Sequence, residues 1–417
     1  MIRGRPSAFV RARVCAARRA VIYCRMESRS HFIRGKRRMD VCMKNTRRVL
    51  LCALCALALG MNTSRAVADT RLYVFQAGAP PAELSATANA VAPEETLISL
   101  TFAGDCTLGG ETSSQASKHS FRSRVRENGM AYPFAGLKAL FAADDFTIVN
   151  LEGVLSDSAE DKVKKQYNFI GEPAYTAVLT EGSVECVNLA NNHSGDYGSR
   201  GRADTVNALN AAGVGWFDED TLCVLEKDGV RVGLTATLFT LGAEKREKLD
   251  RQMEILRELG CAAIVHTMHA GEEYAPTAGA GQKKIAEAAV ALGASLVVGH
   301  HPHVAQGAEV TEGVPVVYSL GNCCFGGNFN PRDYDAVLLG AELRFREGAL
   351  SELTWTLHPI SQSADRRRNS FQPVLLSGGE AGRVMKKIQE ASPKRLEPYV
   401  EGLGARQETI RYEGQEE

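Results

Sequence analysis

Three imidazoles fall within four residues at Gly299-His300-His301-Pro302-His303, directly after the apolar run Ser295-Leu296-Val297-Val298. They are three of the chain's nine histidines. Imidazole is a common ligand of divalent transition metals, so a cluster of this kind asks for a metal. At a strand end, alternate side chains point the same way. On that reasoning His301 and His303 face one ion, with Pro302 stiffening the turn between them. Taken alone, the stretch is equally a His-rich surface loop, and the rest of the chain has to decide.

Other metal-competent groups follow short apolar runs. Asp105 follows such a run through Gly104, whose freedom lets the backbone turn and aim the carboxylate inward. Glu152 stands two residues after Asn150. Asn191-Asn192-His193 places an amide oxygen beside an imidazole, and Asp196 lies close enough in sequence to orient His193. His269 ends the run 264–268. His266 has the opposite parity, so the two do not face one site, and His269 is the candidate while His266 is a core or surface histidine. His119 and His358 are assigned no role. Each group has a plainer role when read singly: a turn Asp, a solvated loop carboxylate, a turn Asn. Together, mixed oxygen and nitrogen donors suit Mn, Zn, Fe or Ni rather than a thiolate structural site. Such an ion acidifies a water, orients a substrate and polarises the bond to be broken. An imidazole outside the ligand set, His193, can donate a proton to a leaving group.

The elements that position these groups read as strands over 97–103, 146–151, 184–189, 262–268, 296–298 and 314–320, each ending in a metal-competent or Gly-Asn group. Helical spacing appears between them, as at 252–259 and 282–292. Further strands are expected at 336–344 and 350–357, and a closing helix at 379–392. Strands alternating with helices predict an α/β fold, whose ligands sit beyond the carboxyl ends of the strands.

These motifs, in this order, resemble the CapA-type poly-γ-glutamate capsule-synthesis family. The matching stretches are Gly104-Asp105-Cys106-Thr107-Leu108-Gly109, Asn150-Leu151-Glu152-Gly153, Ala190-Asn191-Asn192-His193 with Asp196 and Gly198, His269-Ala270-Gly271-Glu272-Glu273-Tyr274, Gly299 to Val304, and Tyr318-Ser319-Leu320-Gly321-Asn322. The resemblance covers roughly 97–345. That family looks like a branch of the calcineurin-like metallophosphoesterases. The resemblance therefore implies a four-layer α/β-β/α sandwich with one or two divalent ions, Mn, Zn or Fe, between two sheets. It implies the ligand set Asp105, Glu152, Asn192, His269, His301 and His303, with His193 as proton donor; His300 falls at a glycine position and is the weaker candidate. The superfamily's first motif is Asp-x-His, whereas Cys106-Thr107 follows Asp105 here, so one His is missing and Glu152 is the available substitute. Ala270 stands where the family has Trp, and Cys323-Cys324 where it has Phe. The implied function is metal-dependent hydrolysis of an anionic cell-envelope polymer or phosphoester, alongside envelope polymer-synthesis machinery. The alternative is a non-enzymatic polyanion-binding component of capsule assembly or export.

Composition bounds this reading. The formal net charge of zero is a cancellation: residues 1–48 carry +13 and residues 49–417 carry −13. An acidic body lacks the footprint of a nucleic-acid binder. Residues 49–61 form an apolar run too short to span a membrane, preceded by Lys44, Arg47 and Arg48 and followed by Ala66-Val67-Ala68. This predicts a signal peptide over 43–68, or an uncleaved anchor, and hence an extracellular or cell-envelope protein without a membrane span after cleavage. Residues 1–42 read as a basic extension or as upstream of the true start. Residues 69–95 read as a flexible linker, 96–345 as the main domain, 346–392 as its completion and 393–417 as a fraying polar tail. Six cysteines lie beyond the signal. Cys106 paired with Cys323 or Cys324 is the candidate disulfide, and Cys186 and Cys261 read as buried small hydrophobes.

Overall fold

A computed structural model describes residues 70–86, 93–406 and 409–412. The expected basic extension and signal peptide lie outside the described residues. Among the described residues the architecture rests on two large sheets.

The seven-stranded sheet has the order β1 (Thr70–Gln76), β6 (Thr221–Lys227), β7 (Val230–Leu238), β8 (Cys261–His269), β9 (Leu296–His300), β11 (Val314–Val317), β10 (Ala308–Thr311). Strands β7, β8, β9 and β11 run parallel. The ten-stranded sheet is built on β14 (Ala349–Ser361), β13 (Asp335–Arg346), β2 (Glu95–Thr107), β3 (Phe146–Leu151), β4 (Cys186–Asn188) and β5 (Gly215–Phe217), with β12 (Asn322–Phe325) also paired to β2. Here β2 to β5 are parallel.

Alternation along these strands assigns their two faces. Leu225, Leu234, Val265 and Val298 of one sheet meet Leu100, Phe102, Phe146 and Ile148 of the other in one apolar layer. Their neighbours Val224, Ile264 and Val297 point the other way, onto Leu249 and Met253 of the helix Ala243–Glu258 and Ile285 of the helix Ala280–Ala291. Ala103, Val149 and Val187 likewise meet Val125, Val178 and Leu209 of helices on the far side of the second sheet. The result is the four-layer α/β-β/α sandwich. Strands buried on both faces explain why the sequence shows continuous apolar runs rather than clean alternation.

Three expectations need correction. Residues 70–76 are not linker: β1 pairs antiparallel with β6 along its whole length, from Thr70 opposite Lys227 to Gln76 opposite Thr221. Leu72 and Val74 add to the layer between the sheets and Phe75 is buried on the helical side. The Pro- and Ala-rich residues after Gly78 masked that strand. Parts of the polar tail are also ordered, since Ala405–Arg406 and Ile410–Arg411 both pair with β14. The boundary at 345 divides nothing, because β13 runs to Arg346 and turns directly into β14.

Gly104 is needed for a reason other than the one inferred from sequence. It sits inside β2 rather than at a turn, and a Cβ there would meet the Gly321 carbonyl oxygen at 1.9 Å. That close approach lets the Asp105 N–H donate to Gly321 O at 2.9 Å, which seats the carboxylate. Gly104→Ala is expected to destabilise the fold by roughly 2 kcal/mol or more, since backbone rather than a side-chain tip must move. Gly281→Ala, in a helix with nothing within 4 Å, is the matched control and should be neutral or slightly stabilising. Thermal unfolding of the two variants checks this, and equal melting temperatures would refute it.

Candidate metal centre

The carboxyl ends of the parallel strands of both sheets converge, and each supplies one part of a buried cluster. Asp105 lies in β2 with Asn150 of β3 and Asn322 of β12 as its register partners on either side. Glu152 follows β3, and Asn192 and His193 follow β4. From the other sheet, His269 ends β8 and His301 and His303 follow β9. Asp105, Glu152 and His269 are fully buried, and His193, His301 and His303 are 6–7% exposed.

Asp105 is well provided with partners. Its Oδ1 accepts from Asn150 Nδ2 at 2.8 Å, and its Oδ2 accepts from the His301 N–H at 3.2 Å and lies 3.3 Å from His303 Nδ1. Burial pushes this carboxyl up, but the His300 and His303 imidazoles beside it and the charges of His303 and His269 outweigh it and hold Asp105 well below the usual range.

Glu152 is the opposite case. Both carboxylate oxygens are buried without a hydrogen-bond partner. Three imidazoles nevertheless converge on Oε1: His193 Nε2 at 3.7 Å, and His269 Nε2 and His303 Nε2 at 3.8 Å. A charge-assisted hydrogen bond would close to about 2.8 Å. Two ligands of one ion, each about 2.1 Å from it, stand roughly 3–3.5 Å apart. The observed stand-off is too long for a hydrogen bond and lies a few tenths of an ångström beyond that ligand spacing, closer to the second arrangement than to the first. Two triads have donor atoms all within 4.8 Å of one another, Glu152-His269-His301 and Asp105-Glu152-His303, so Glu152 belongs to both. Burial pushes the Glu152 carboxyl well above its usual range, with Asp105 adding to the rise and His303 opposing it. His303 is pushed up to about 10, because Glu152 and Asp105 outweigh the opposing effect of burial. Burial holds His269 and His301 low, in the neutral form that a metal requires. A buried carboxylate with no donor, grouped with the neutral imidazoles of His269 and His301, fits a divalent cation.

Asn192 Oδ1 lies 2.7 Å from His269 Nε2, which itself lies 3.1 Å from His301 Nδ1. His193 is held from behind: its Nδ1 is 2.7 Å from Asp196 Oδ2, and its ring stacks on Phe169 at 4.3 Å. Asp196 also accepts from the Phe169 N–H at 2.6 Å and pairs with Lys165. Burial lowers the His193 pKa, and the Asp196 hydrogen bond partly restores it.

The structure thus gathers all seven sequence-derived site residues, although not for every reason the sequence suggested. β9 ends at His300, so His301 and His303 are not alternate strand residues. They converge because the loop puts both in left-handed backbone, φ 98° and 57°. His300 does not turn away: it is buried, with Nδ1 3.5 Å from Asp105 Oδ1. His266 is a core residue against Thr235 Oγ1 at 2.9 Å, and burial pushes its pKa down to about 3. The cysteines near the site are free thiols, Cys106 and Cys323 being neighbours without a bond.

Asn150 joins the site although the sequence reading assigns it no role there. It donates to Asp105, lies 3.2 Å from His269 Nδ1, and accepts from Asn191 Nδ2 at 3.2 Å, tying the two sheets' contributions together. Its signal was present, since it shares strand parity with Glu152. Asn322 was likewise unassigned, and its Oδ1 lies 3.0 Å from His303 Nδ1. Aromatic residues frame the opening. Tyr167, Phe239 and Tyr274 are 51%, 43% and 37% exposed. Phe239 meets the His301 ring edge-on at 5.4 Å, and Tyr274 lies 6.3 Å from His303 with Arg332 over its face. Phe239 and Tyr274 both have φ 63°, so four of the nine non-glycine residues in left-handed backbone, among the described residues, line this site. Strain concentrated in this way is characteristic of functional sites.

Comparison with known proteins covers the stretch of chain that carries these residues. The family described as bacterial capsule synthesis protein PGA_cap matches residues 99–327, a span that contains every ligand candidate. The capsule biosynthesis protein CapA of Bacillus anthracis is 27% identical over 316 residues, covering 67% of this chain and 74% of that protein. The PGA biosynthesis protein CapA of Bacillus subtilis (strain 168) is 28% identical over 270 residues, covering 60% of this chain and 68% of that protein.

Proposed function

The chain belongs to the bacterial capsule synthesis protein family PGA_cap, whose fold is metallophosphoesterase-like, and on that premise we propose that it is an exported metal-dependent hydrolase acting on anionic cell-envelope polymer. The observation that carries this reading is Glu152, a buried carboxylate with no hydrogen-bond donor and with three imidazoles, from the ends of β4, β8 and β9, within 3.8 Å of its Oε1.

Asp105, Glu152, His269, His301 and His303 would hold the metal, with the Asn192 amide oxygen as a further donor. Glu152 belongs to both triads, so either grouping would need it to hold an ion. A divalent ion there would supply Lewis acidity toward a phosphoryl or carbonyl oxygen. His193 stands on one flank with Nδ1 engaged by Asp196, which leaves Nε2 aimed into the site as the proton donor to a leaving group. Asp196 and Phe169 fix the orientation of the ring. Arg332 over the face of Tyr274, with the exposed rim aromatics, would offer an anionic chain one cation and a partly apolar approach. Among the described residues no helix is long and apolar enough to cross a membrane, and export rests on the sequence of residues 43–68.

Metal analysis of natively purified protein, repeated on His301→Ala, tests the ligand set. Loss of most of the bound metal is expected, and unchanged content would overturn the assignment. Hydrolysis of a phosphodiester reporter and of poly-γ-glutamate, with Mn, Zn or Fe supplied, tests the activity. If neither is cut, the protein is a binder of the polymer rather than its hydrolase.

A further inference from the structure

Cys186 and Cys223 are the only described cysteines that reach one another across the layer between the two sheets. Cys186 opens β4 of the ten-stranded sheet, and Cys223 lies in β6 of the seven-stranded sheet. Both are free thiols fully buried in the shared apolar core, and the Cys186 thiol donates to Cys223 Sγ at 3.8 Å. The chain between them explains the approach. Cys186 pairs in register with Gly215 of β5, and only Asp218-Glu219-Asp220 separates β5 from β6, so the two sheets are pinned together at this edge. Gly215 permits the close packing, because a Cβ there would meet Leu72 of β1 at 2.3 Å.

We propose that Cys186 and Cys223 are the site of an inter-sheet disulfide, formed when the chain folds in an oxidising compartment. The placement has a consequence for the metal centre. Asp105, Glu152 and Asn192 come from one sheet and His269, His301 and His303 from the other, so ligand spacing depends on how firmly the sheets are held together. β4 leads within a few residues to Asn192 and His193, and a covalent link at its start fixes that strand against the opposing sheet. The chemistry balances with a disulfide of the glutathione class as oxidant. One protein thiolate attacks the oxidant's disulfide, forming a mixed disulfide and releasing one glutathione thiolate. The second protein thiolate displaces the other glutathione, leaving Cys186 bonded to Cys223 and two glutathione thiols. Both sulfurs are inaccessible once the sheets close, so the bond forms before burial is complete and is then protected from reduction.

The full chain, refolded in a mixture of reduced and oxidised glutathione and then alkylated under denaturing conditions, should yield one linked peptide pair containing Cys186 and Cys223. Its mass should be two hydrogens below the sum of the free peptides. The oxidised protein should melt about 5–10 °C above the reduced protein. The Cys186→Ala/Cys223→Ala double variant should lose that redox-dependent difference. Both cysteines recovered fully alkylated after oxidative refolding, or a link joining Cys106 to Cys323 instead, would overturn the proposal. The peptide map is read on the unmodified sequence, so the result stands even if the double variant fails to fold. It is also independent of whether the protein hydrolyses anything.

Discussion

Glu152→Gln is expected to make the metal-free protein more stable and the metal-loaded protein less so. In the metal-free fold both Glu152 oxygens are buried without a donor. Uncompensated burial of a charge costs several kcal/mol, and the group escapes part of that cost by taking up a proton or by drawing charge onto His303. A neutral amide of the same shape removes that burden, and a gain of about 1–2 kcal/mol, or a few degrees in melting temperature, should follow. With saturating metal the sign reverses. An ion at a hundred times its dissociation constant stabilises the native state by about 2.7 kcal/mol, and a variant lacking the residue shared by both triads should lose most of that increment. Asp105→Asn supplies the contrast. Asp105 accepts hydrogen bonds from Asn150 and from the His301 backbone, so its replacement should destabilise the protein with or without metal. Calorimetric melts of the three proteins, with chelator and with Mn or Zn, read all four effects. A metal-free Glu152→Gln protein that melts lower than the parent would mean that Glu152 is a structural carboxylate, and the metal reading would fall with it.

The same contrast shows what sequence reasoning reached and where it stopped. The ligand candidates were legible because parallel strands deliver their functional groups at one end, so six short apolar runs each followed by Asp, Glu, Asn or His form a pattern that does not depend on packing. The fold class followed from the same runs. The reasons attached to single residues fared less well. Gly104 reads as a turn glycine, yet its role is the approach of Gly321, just before β12, a contact between segments more than two hundred residues apart. His301 and His303 read as strand neighbours, but a left-handed loop brings them together, and no local pattern announces positive φ at histidine. Asn150 shares strand parity with Glu152, but its three partners come from distant segments, so the sequence hints at its place and not at its role. The β6–β7 hairpin was a missed signal of another kind. Asp228-Gly229 between two apolar runs is a strong turn signature, and the structure gives both residues the positive φ it requires. Strand β1 was lost to composition, since a seven-residue strand beside Pro- and Ala-rich sequence averages out as linker.

His193→Gln should separate binding from chemistry. His193 Nε2 lies within 3.8 Å of Glu152 Oε1 but belongs to neither triad of mutually close donors, so metal content should be nearly unchanged. Turnover should fall by roughly 10²–10⁴, the usual contribution of a positioned general acid. The size of the fall should depend on the leaving group. A nitrophenolate departs readily without a proton, whereas an alkoxide needs one in the transition state, so the variant should lose far more activity on an alkyl phosphodiester than on a nitrophenyl one. Asp196→Asn should reproduce a fraction of the same pattern, because Asp196 holds the ring through Nδ1 and, with the Phe169 stack, sets where Nε2 points. Burial lowers the His193 pKa, which at first sight argues against an acid that must carry a proton near neutral pH. An anionic substrate oxygen arriving beside Nε2 favours the protonated ring by the same Coulomb term that Asp196 supplies from behind, so the proton is held most firmly when substrate is present. Equal losses on both substrates would instead make His193 a ligand or a structural residue. Loss of metal in the variant would assign it to the coordination sphere. Only the leaving-group dependence, with metal retained, identifies the proton donor.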